Sequence, residues 1–214
     1  MDKRNRMAKR VAEYFKPGDI INLGIGIPSL CGNYAPKGVM LHTENGLIGV
    51  GPASTGLQNV ESFSNANAMR FVPVPGSSVF DSAESFAIVR SGRLAATVLG
   101  GLQVSVKGDL ANWARPGKTV GMGGAMDLVN GARQVIVTMD LVTKTGEPKI
   151  LNECTFPLTG KACVSHIVTD QCVIDVVPEG LLLREILEGL APEDIQKQVE
   201  PTLVVAGDLA VMAE

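Results

Sequence analysis

Short apolar runs alternate with polar turns along the chain, and their spacing distinguishes helices from strands. Over residues 2–15, Met7, Val11 and Tyr14 recur at three- to four-residue intervals, which predicts an amphipathic helix. Pro17 and the glycine after it end this helix. Residues 20–23 (IINL) form a short apolar run without helical spacing. The chain is therefore expected to open with a helix and a strand.

The same patterns predict elements along the rest of the chain. Strands are predicted at residues 39–43, 71–74, 94–99, 134–139, 166–169, 172–177 and 202–206, and a hairpin at 103–106 and 110–113. Helices are predicted after Pro28, from Asp81 to about Arg90, after the glycines at 121–124, and near 181–189 and 192–199. A polar loop is predicted over 52–68. This alternation indicates an α/β fold, an open mixed or parallel sheet flanked by helices, and we expect one domain over 1–214.

Composition narrows the possible functions. The 214 residues are 45% hydrophobic and 19% charged, which excludes an intrinsically disordered chain. The net charge of −3, without a basic run, gives no electrostatic support for binding nucleic acid or an anionic membrane. No stretch approaches the ~18 apolar residues of a membrane span, and the basic N-terminus lacks the apolar core of a secretory signal. We therefore expect a cytoplasmic protein.

The cysteines and histidines do not suggest a metal site. Cys31, Cys154, Cys163 and Cys172 form no C-x-x-C pair, and the two histidines lie far apart in the sequence. A zinc site normally has closer ligand pairs. We expect free thiols and no metal.

Two glycine clusters, at 24–29 (GIGIPS) and 121–126 (GMGGAM), invite a comparison with nucleotide-binding loops. The dinucleotide fingerprint requires a third glycine where these clusters carry Ser29 and Met126. Neither cluster continues into the G-K-[ST] of a phosphate-binding loop. The glycines either expose backbone N–H groups to a phosphate or a developing oxyanion, or only permit tight turns. The spacing leaves both interpretations open.

Glu44 is the acidic residue with the clearest potential for chemistry. It follows a predicted strand and begins an E-N-G turn, at the end of the strand where open α/β sheets bind ligands. A lone glutamate there is also an ordinary solvated turn residue, because the sequence identifies no titratable partner for acid–base work. His42 alternates with Glu44 on the strand, and we expect it to be structural. The G-x-S-x-G motif of a serine hydrolase is absent from the sequence.

Several segments together resemble the β subunit of the family I (3-oxoacid type) coenzyme A transferases. They occur in the family order, which makes the combination far more specific than any one of them. These segments are 22–28 (NLGIGIP), 44–52 (ENGLIGVGP), 80–82 (FDS), 108–113 (GDLANW), 116–118 (PGK), 121–129 (GMGGAMDLV) and 154–160 (CTFPLTG).

The resemblance implies the catalytic β subunit of a short-chain acyl-CoA:carboxylate CoA-transferase of the acetate, acetoacetate or butyrate class. It implies that Glu44 is the nucleophile and forms a glutamyl-CoA thioester in a ping-pong reaction. Coenzyme A is then a substrate, and no metal or redox cofactor is required. The implied pocket and oxyanion residues are Asn22, Gly124 and Ala125, and the implied CoA-binding residues are Gly24, Gly26, Gly49 and Gly51.

The resemblance also implies a partner subunit, and this sequence departs from the family pattern at a few positions. A β subunit works beside an α subunit, so we expect an α₂β₂ assembly that acts on acyl-CoA and short-chain carboxylates. Many family members have serine where Thr43 precedes the glutamate, and threonine keeps the hydroxyl. Residues 65–68 (NANA) lack the lysine of some succinate-using members, and the preceding loop, 54–63, is unusual. Succinate specificity is therefore not expected.

Three other functions remain open. An acyl-CoA hydrolase would let water reach the glutamyl-CoA intermediate. A non-catalytic interaction subunit would not need the Glu44 turn. A sugar-phosphate isomerase of similar topology would need a cationic phosphate pocket, and no lysine or arginine neighbours Glu44 in the sequence.

Overall fold

The computed structural model of the chain describes residues 1–53, 63–64, 70–119 and 121–212. The helices in these ranges are α1 (Lys3–Ala12), α2 (Ile27–Leu30), α3 (Ser82–Arg90), α4 (Ala125–Gly131) and α5 (Pro192–Gln196). The strands are β1 (Ile20–Leu23), β2 (Met40–Thr43), β3 (Leu47–Ala53), β4 (Phe71–Val79), β5 (Ala96–Gly100), β6 (Gln103–Ser105), β7 (Leu110–Ala111), β8 (Ala114–Arg115), β9 (Lys118–Thr119), β10 (Val135–Met139), β11 (Ile150–Leu151), β12 (His166–Thr169), β13 (Cys172–Val177), β14 (Gly180–Leu187) and β15 (Leu203–Met212).

A ten-stranded sheet organises the described residues, in the order β15-β14-β13-β12-β10-β5-β1-β2-β3-β4. The five central strands, β12, β10, β5, β1 and β2, are parallel to one another. Antiparallel pairing begins at β13 on one side and at β3 on the other. The predicted α/β fold with an open mixed sheet is therefore confirmed, and so is the hairpin, since β6 and β7 pair antiparallel.

Helices cover both faces of the parallel strands, as such a sheet requires. Each face buries its own apolar cluster. The cluster under α1 includes Met7, Val11, Phe15, Ile21, Val98, Ile136 and Val168. The cluster under α3 and α4 includes Val89, Leu99, Leu128, Val129, Val135, Val137 and Ile174. Neighbours along one strand thus point into different clusters, in agreement with the two-residue period of a strand.

Local capping explains where two helices begin. The Asp2 side chain accepts the backbone N–H groups of Arg4 and Asn5, each at 2.9 Å, and begins α1. Asp81 accepts the N–H of Glu84 at 2.8 Å and begins α3 at the predicted position. α1 ends at Ala12, earlier than the sequence pattern suggested.

The helix predicted near 181–189 is wrong, because this segment is strand β14. Its leucine-rich sequence fits either period, but the structure buries Leu181 and Leu183 fully, two residues apart. β14 pairs with β13 and β15, so the sheet on both sides determines its conformation.

Two edge strands are longer than predicted. β4 continues through Pro73, Pro75 and Gly76 to Val79, and it tolerates prolines because it is the last strand of the sheet that the described residues form. β15, at the opposite edge, runs to Met212 rather than ending at 206. The loop predicted over 52–68 begins as the end of β3, and apart from residues 63–64 the rest of it lies outside the described residues. The departures at 54–63 and 65–68 fall largely in those same segments.

Candidate active site

A cavity of about 640 Å³ opens at the carboxyl ends of the parallel strands. β1 and β5 are neighbours there, and the chain leaves β1 toward β2 on one side but reaches β5 on the other side. Such a reversal of strand order leaves a crevice in which α/β proteins bind ligands. The cavity is lined by Asn22, Leu23, Gly24, Ile25, Ile27, Thr43, Glu44, Leu99, Gly100, Gly101, Leu102, Asn112, Gly121, Met122, Gly123, Gly124, Ala125, Leu128, Thr138, Met139, Asp140 and Lys149.

Glu44 enters this cavity directly after β2, in a tight turn that leads to β3. The N–H of Gly46 donates to the Thr43 carbonyl at 3.0 Å, and the Gly46 carbonyl accepts the N–H of Phe80 at 3.0 Å. Gly46 has a φ of +116°, and a Cβ there would collide with the Phe80 carbonyl. Asn45 donates from its side-chain amide to the Ser64 carbonyl at 2.9 Å. Gly46 is therefore needed for this turn, which fixes the backbone of Glu44.

The Glu44 carboxylate is half-buried and accepts a hydrogen bond from the backbone N–H of Gly124. Burial raises the pKa of Glu44 above its usual value. The Gly124 hydrogen bond lowers this pKa, whereas the negative charge of Asp127 raises it further. An ionised glutamate that is partly desolvated and held by one donor is a better nucleophile than a hydrated one, because less water must leave before it reacts.

Gly124 lies too close to Glu44 to carry a side chain. A Cβ at this position would lie 2.5 Å from Glu44 Oε2 and 2.7 Å from two ring carbons of Phe86. The second glycine cluster thus brings bare backbone against the carboxylate, with Phe86 of α3 behind it. Ala125 lines the same cavity, and its N–H donates to the Met122 carbonyl at 3.3 Å. The oxyanion roles of both residues stay predictions.

Asn22 lines the cavity, but its side chain is buried and hydrogen-bonded to the two neighbouring strands. Its side-chain nitrogen is 3.1 Å from His42 Nδ1, and its side-chain oxygen accepts the Thr97 hydroxyl at 3.2 Å. His42 Nε2 lies 3.0 Å from Ser85 Oγ, and burial lowers the pKa of His42 to about 4. The sequence predicted His42 on the same strand as Glu44, but no motif indicated that Ser85 or Thr97 would contact His42 and Asn22.

The four glycines predicted to bind CoA fall into two groups. Gly24 lines the cavity, and Gly26, with a φ of +90°, lies in the same turn. Gly49 and Gly51 pack β3 against β4: a Cβ on Gly49 would lie 2.6 Å from Ser77 Cβ, and one on Gly51 would collide with the Val72 carbonyl. The structure thus provides a packing reason for Gly49 and Gly51, and the CoA-binding role of all four stays a prediction.

Lys149 and Asp140 lie at the β10 side of the cavity, where the sequence patterns predicted no site residue. Lys149 Nζ donates to the Gly101 carbonyl at 3.1 Å, and burial lowers the pKa of this lysine against the opposing effect of Asp140. No motif distinguishes Lys149 from other lysines, because its place in the cavity depends on a loop that crosses from β10 to β11.

The described residues contain no group of three or more His, Cys, Asp or Glu side chains that could hold a metal ion. All four cysteines are free thiols. None of the helices in the described ranges is long and apolar enough to cross a membrane.

Sequence comparison identifies relatives over most of the chain. The family model described as coenzyme A transferase matches residues 4–198. The beta subunit of the acetate CoA-transferase of Escherichia coli (strain K12) is 49% identical over 173 residues, which cover 79% of each chain. A 3-oxoadipate CoA-transferase subunit of Pseudomonas putida is 51% identical over 170 residues, which cover 78% of this chain and 80% of the relative. The substrates in the names of these two relatives differ.

Structural comparison supports the same fold. The crystal structure of an acyl-CoA transferase apoenzyme from Escherichia coli O157:H7 superposes with a TM-score of 0.81 at 20% identity. The match covers 99% of this chain and 43% of that longer chain. At this identity the likeness concerns the fold, and the chain spans less than half of the solved protein.

Proposed function

Because the chain belongs to the coenzyme A transferase family, as a relative of its β subunits, we propose that it is the catalytic subunit of a short-chain acyl-CoA:carboxylate CoA-transferase. The single observation that supports this best is the half-buried Glu44 carboxylate, held by the Gly124 N–H inside the crevice between β1 and β5.

In the proposed reaction, Glu44 attacks the carbonyl carbon of an acyl-CoA thioester. The carbon–sulfur bond breaks, leaving an acyl-glutamyl anhydride and CoA thiolate. The thiolate then attacks the Glu44 carbonyl, which releases the first carboxylate and forms the glutamyl-CoA thioester. An acceptor carboxylate reverses these two steps: it attacks the glutamyl carbonyl and expels the thiolate, and the thiolate then takes the new acyl group and frees Glu44. The reaction divides one difficult exchange into easier steps and needs no proton donor.

The Gly124 N–H is placed to stabilise the two middle steps of this reaction, in which the glutamyl carbonyl is attacked. It already lies on a Glu44 oxygen, so the same donor is in place when that oxygen gains charge during attack on the glutamyl carbonyl. Loss of one such donor typically costs about 10²- to 10³-fold in rate. Thioester exchange is nearly neutral in free energy, so the enzyme only has to lower the activation barriers. Positioning of the reactants and exclusion of water supply the remaining rate acceleration.

An α subunit would complete the cavity. Ile25 lines the cavity and is 66% exposed, and Met126, on the first turn of α4, is 47% exposed. Contiguous exposed apolar patches mark interaction surfaces, and we propose that a partner covers Ile25, an exposed apolar side chain that lines the cavity. The relatives bear the names of subunits, and we propose an α₂β₂ assembly in which the partner closes the cavity. The acetate, acetoacetate and butyrate class is the proposed substrate range, with CoA as substrate and no metal or redox cofactor.

The test is covalent trapping in the complex with the α subunit. The complex is incubated with acetyl-, acetoacetyl- or butyryl-CoA, treated with hydroxylamine or borohydride, and analysed by intact mass and peptide mapping. We expect a modification confined to the peptide with Glu44, absent in Glu44→Ala and retained in Glu188→Gln, an exposed glutamate after β14.

The outcomes distinguish the alternatives. CoA release without an acceptor acid would indicate a hydrolase. An intact complex that forms no adduct with any of the three donors would contradict the transferase and favour a non-catalytic subunit.

A further inference from the structure

A row of polar side chains crosses the centre of the sheet beneath Glu44. Thr97 on β5, Asn22 on β1 and His42 on β2 are register partners, so their side chains leave the same face of three adjacent parallel strands. Each is at most 2% exposed, and Ser85 of α3, which meets the row from above, is 0% exposed. Buried polar groups cost stability unless they are hydrogen-bonded, so three such side chains in a row, with a fourth packed above them, are an unusual feature for the interior of a protein.

The donor and the acceptor of each hydrogen bond in this row can be assigned, one from the next. The Thr97 hydroxyl donates to Asn22 Oδ1 at 3.2 Å, which leaves Asn22 Nδ2 facing His42 Nδ1 at 3.1 Å. An amide nitrogen only donates, so His42 Nδ1 accepts. The ring proton therefore lies on Nε2, which donates to Ser85 Oγ at 3.0 Å. This assignment requires a neutral ring, and burial supports it by lowering the pKa of His42 to about 4.

The His42 ring is in contact with three parts of the candidate site. Through Asn22, which lines the cavity, it is linked to the end of β1. Its ring stacks on Phe80 with centroids 6.4 Å apart, and the Phe80 N–H donates to the Gly46 carbonyl of the Glu44 turn. The contacts that the structure gives this ring in the described residues come from uncharged groups on β1, on α3 and before α3.

The contact with α3 leads to the Glu44 donor. Ser85 is followed by Phe86, whose ring packs against Gly124. A Cβ on Gly124 would lie only 2.7 Å from two carbons of that ring. Gly124 in turn donates to Glu44. A displacement of α3 at Ser85 would therefore move Phe86, and with it the backbone N–H that holds the nucleophile.

We propose that His42 is a positioning residue for the transfer reaction: its Nε2–H bond to Ser85 sets α3 at the distance at which Phe86 and Gly124 hold Glu44. The inference rests on the proposed function and adds to it a residue outside the cavity that controls the geometry of the nucleophile. A misplacement of about 1 Å at a reacting group costs on the order of 10²-fold in rate, so one lost tether is sufficient for a measurable effect.

The test separates the hydrogen bond from the shape of the ring. Ser85→Ala removes the acceptor and leaves His42 in place. His42→Leu removes both ring bonds, whereas His42→Gln offers an amide oxygen to Asn22 and an amide N–H to Ser85. Ser91→Ala is the matched control, because Ser91 is exposed at the end of the same helix.

Steady-state kinetics of the complex with the α subunit supply the first measurement. We expect kcat to fall about tenfold or more in Ser85→Ala and in His42→Leu, with KM for acyl-CoA unchanged within about twofold. His42→Gln should recover most of the kcat lost in His42→Leu, and Ser91→Ala should match the wild type. Melting temperatures of each variant identify any that fail to fold.

Imidazole ¹⁵N spectra supply the second measurement, which does not depend on activity. The chain has two histidines, so His166→Gln assigns the remaining signal to His42. We expect a neutral ring with its proton on Nε2 at pH 6, and a shifted Nε2 signal in Ser85→Ala.

A proton on Nδ1, a charged ring at pH 6, or a folded Ser85→Ala complex with wild-type kcat would each overturn the inference. Failure of the proposed function is distinguishable from these results, because it would be seen in the wild-type complex as the absence of CoA transfer and of the Glu44 adduct.

Discussion

The backbone N–H of Gly124 donates a hydrogen bond to the Glu44 carboxylate, joining the turn after β2 to the residue before α4. The sheet brings these two segments together at the carboxyl ends of its parallel strands. The contact gives an acidic turn residue a defined donor within a cavity, and it determines which substitutions should affect activity without unfolding the protein.

Gly124→Ala should reduce transfer by at least about 10²-fold. The added Cβ would lie 2.5 Å from Glu44 Oε2 and 2.7 Å from the Phe86 ring, so the carboxylate or the N–H must move. The measurement is kcat of the complex, with Gly207→Ala as control because a Cβ at Gly207 has nothing within 4 Å. Near wild-type kcat in Gly124→Ala would contradict a role of this contact in catalysis.

Asp127→Asn should move the acidic limb of the pH–rate profile to lower pH. The nucleophile must be ionised, and the negative charge of Asp127 contributes to the raised pKa of Glu44. Removing that charge makes Glu44 easier to ionise, so activity should persist further into the acid range. The measurement is kcat/KM against pH, and Asp208→Asn on the exposed edge strand β15 is the control. An unchanged limb, or one at higher pH, would show that Asp127 does not act on the nucleophile.

Gly51→Ala should destabilise the protein by about 1–3 kcal/mol. Its Cβ would collide with the Val72 carbonyl, and backbone cannot rotate away as a side chain can. The free energy of unfolding in urea measures this effect, and Gly207→Ala serves again as the reference. A wild-type unfolding free energy together with a higher KM for acyl-CoA would instead identify Gly51 as a CoA contact.

His42 should make the protein less stable in acid. The unfolded histidine binds a proton below a pKa of about 6.5, whereas the folded one resists protonation until about pH 4. Between these values only the unfolded chain is protonated, so the free energy of unfolding falls as the pH falls, by about 3 kcal/mol in total. Urea unfolding at pH 7 and at pH 4.5 should show a larger loss in the wild type than in His42→Gln. Equal losses would mean that His42 is accessible to protons in the folded state.

Local chemistry explains why many elements were predictable. Asp81 begins α3 because its side chain reaches the Glu84 N–H three residues away, and this contact needs nothing beyond that segment. The E-N-G turn depends likewise on the φ of +116° that Gly46 adopts. The prediction for β14 was wrong because its leucines fit two periods, and only its pairing with β13 and β15 decides between them.

Sequence patterns were sufficient to predict the α/β alternation and the turn that carries Glu44, and the motifs were sufficient to indicate the family to which the chain belongs. The folded chain was needed to show that the Gly124 N–H bonds to the Glu44 carboxylate itself, that Gly51 packs two strands together, and that His42 contacts Ser85. The difference lies in how far apart the contacting residues are in the sequence. Turns and caps depend on neighbours within a few residues, whereas these contacts join distant segments whose meeting depends on strand order and register.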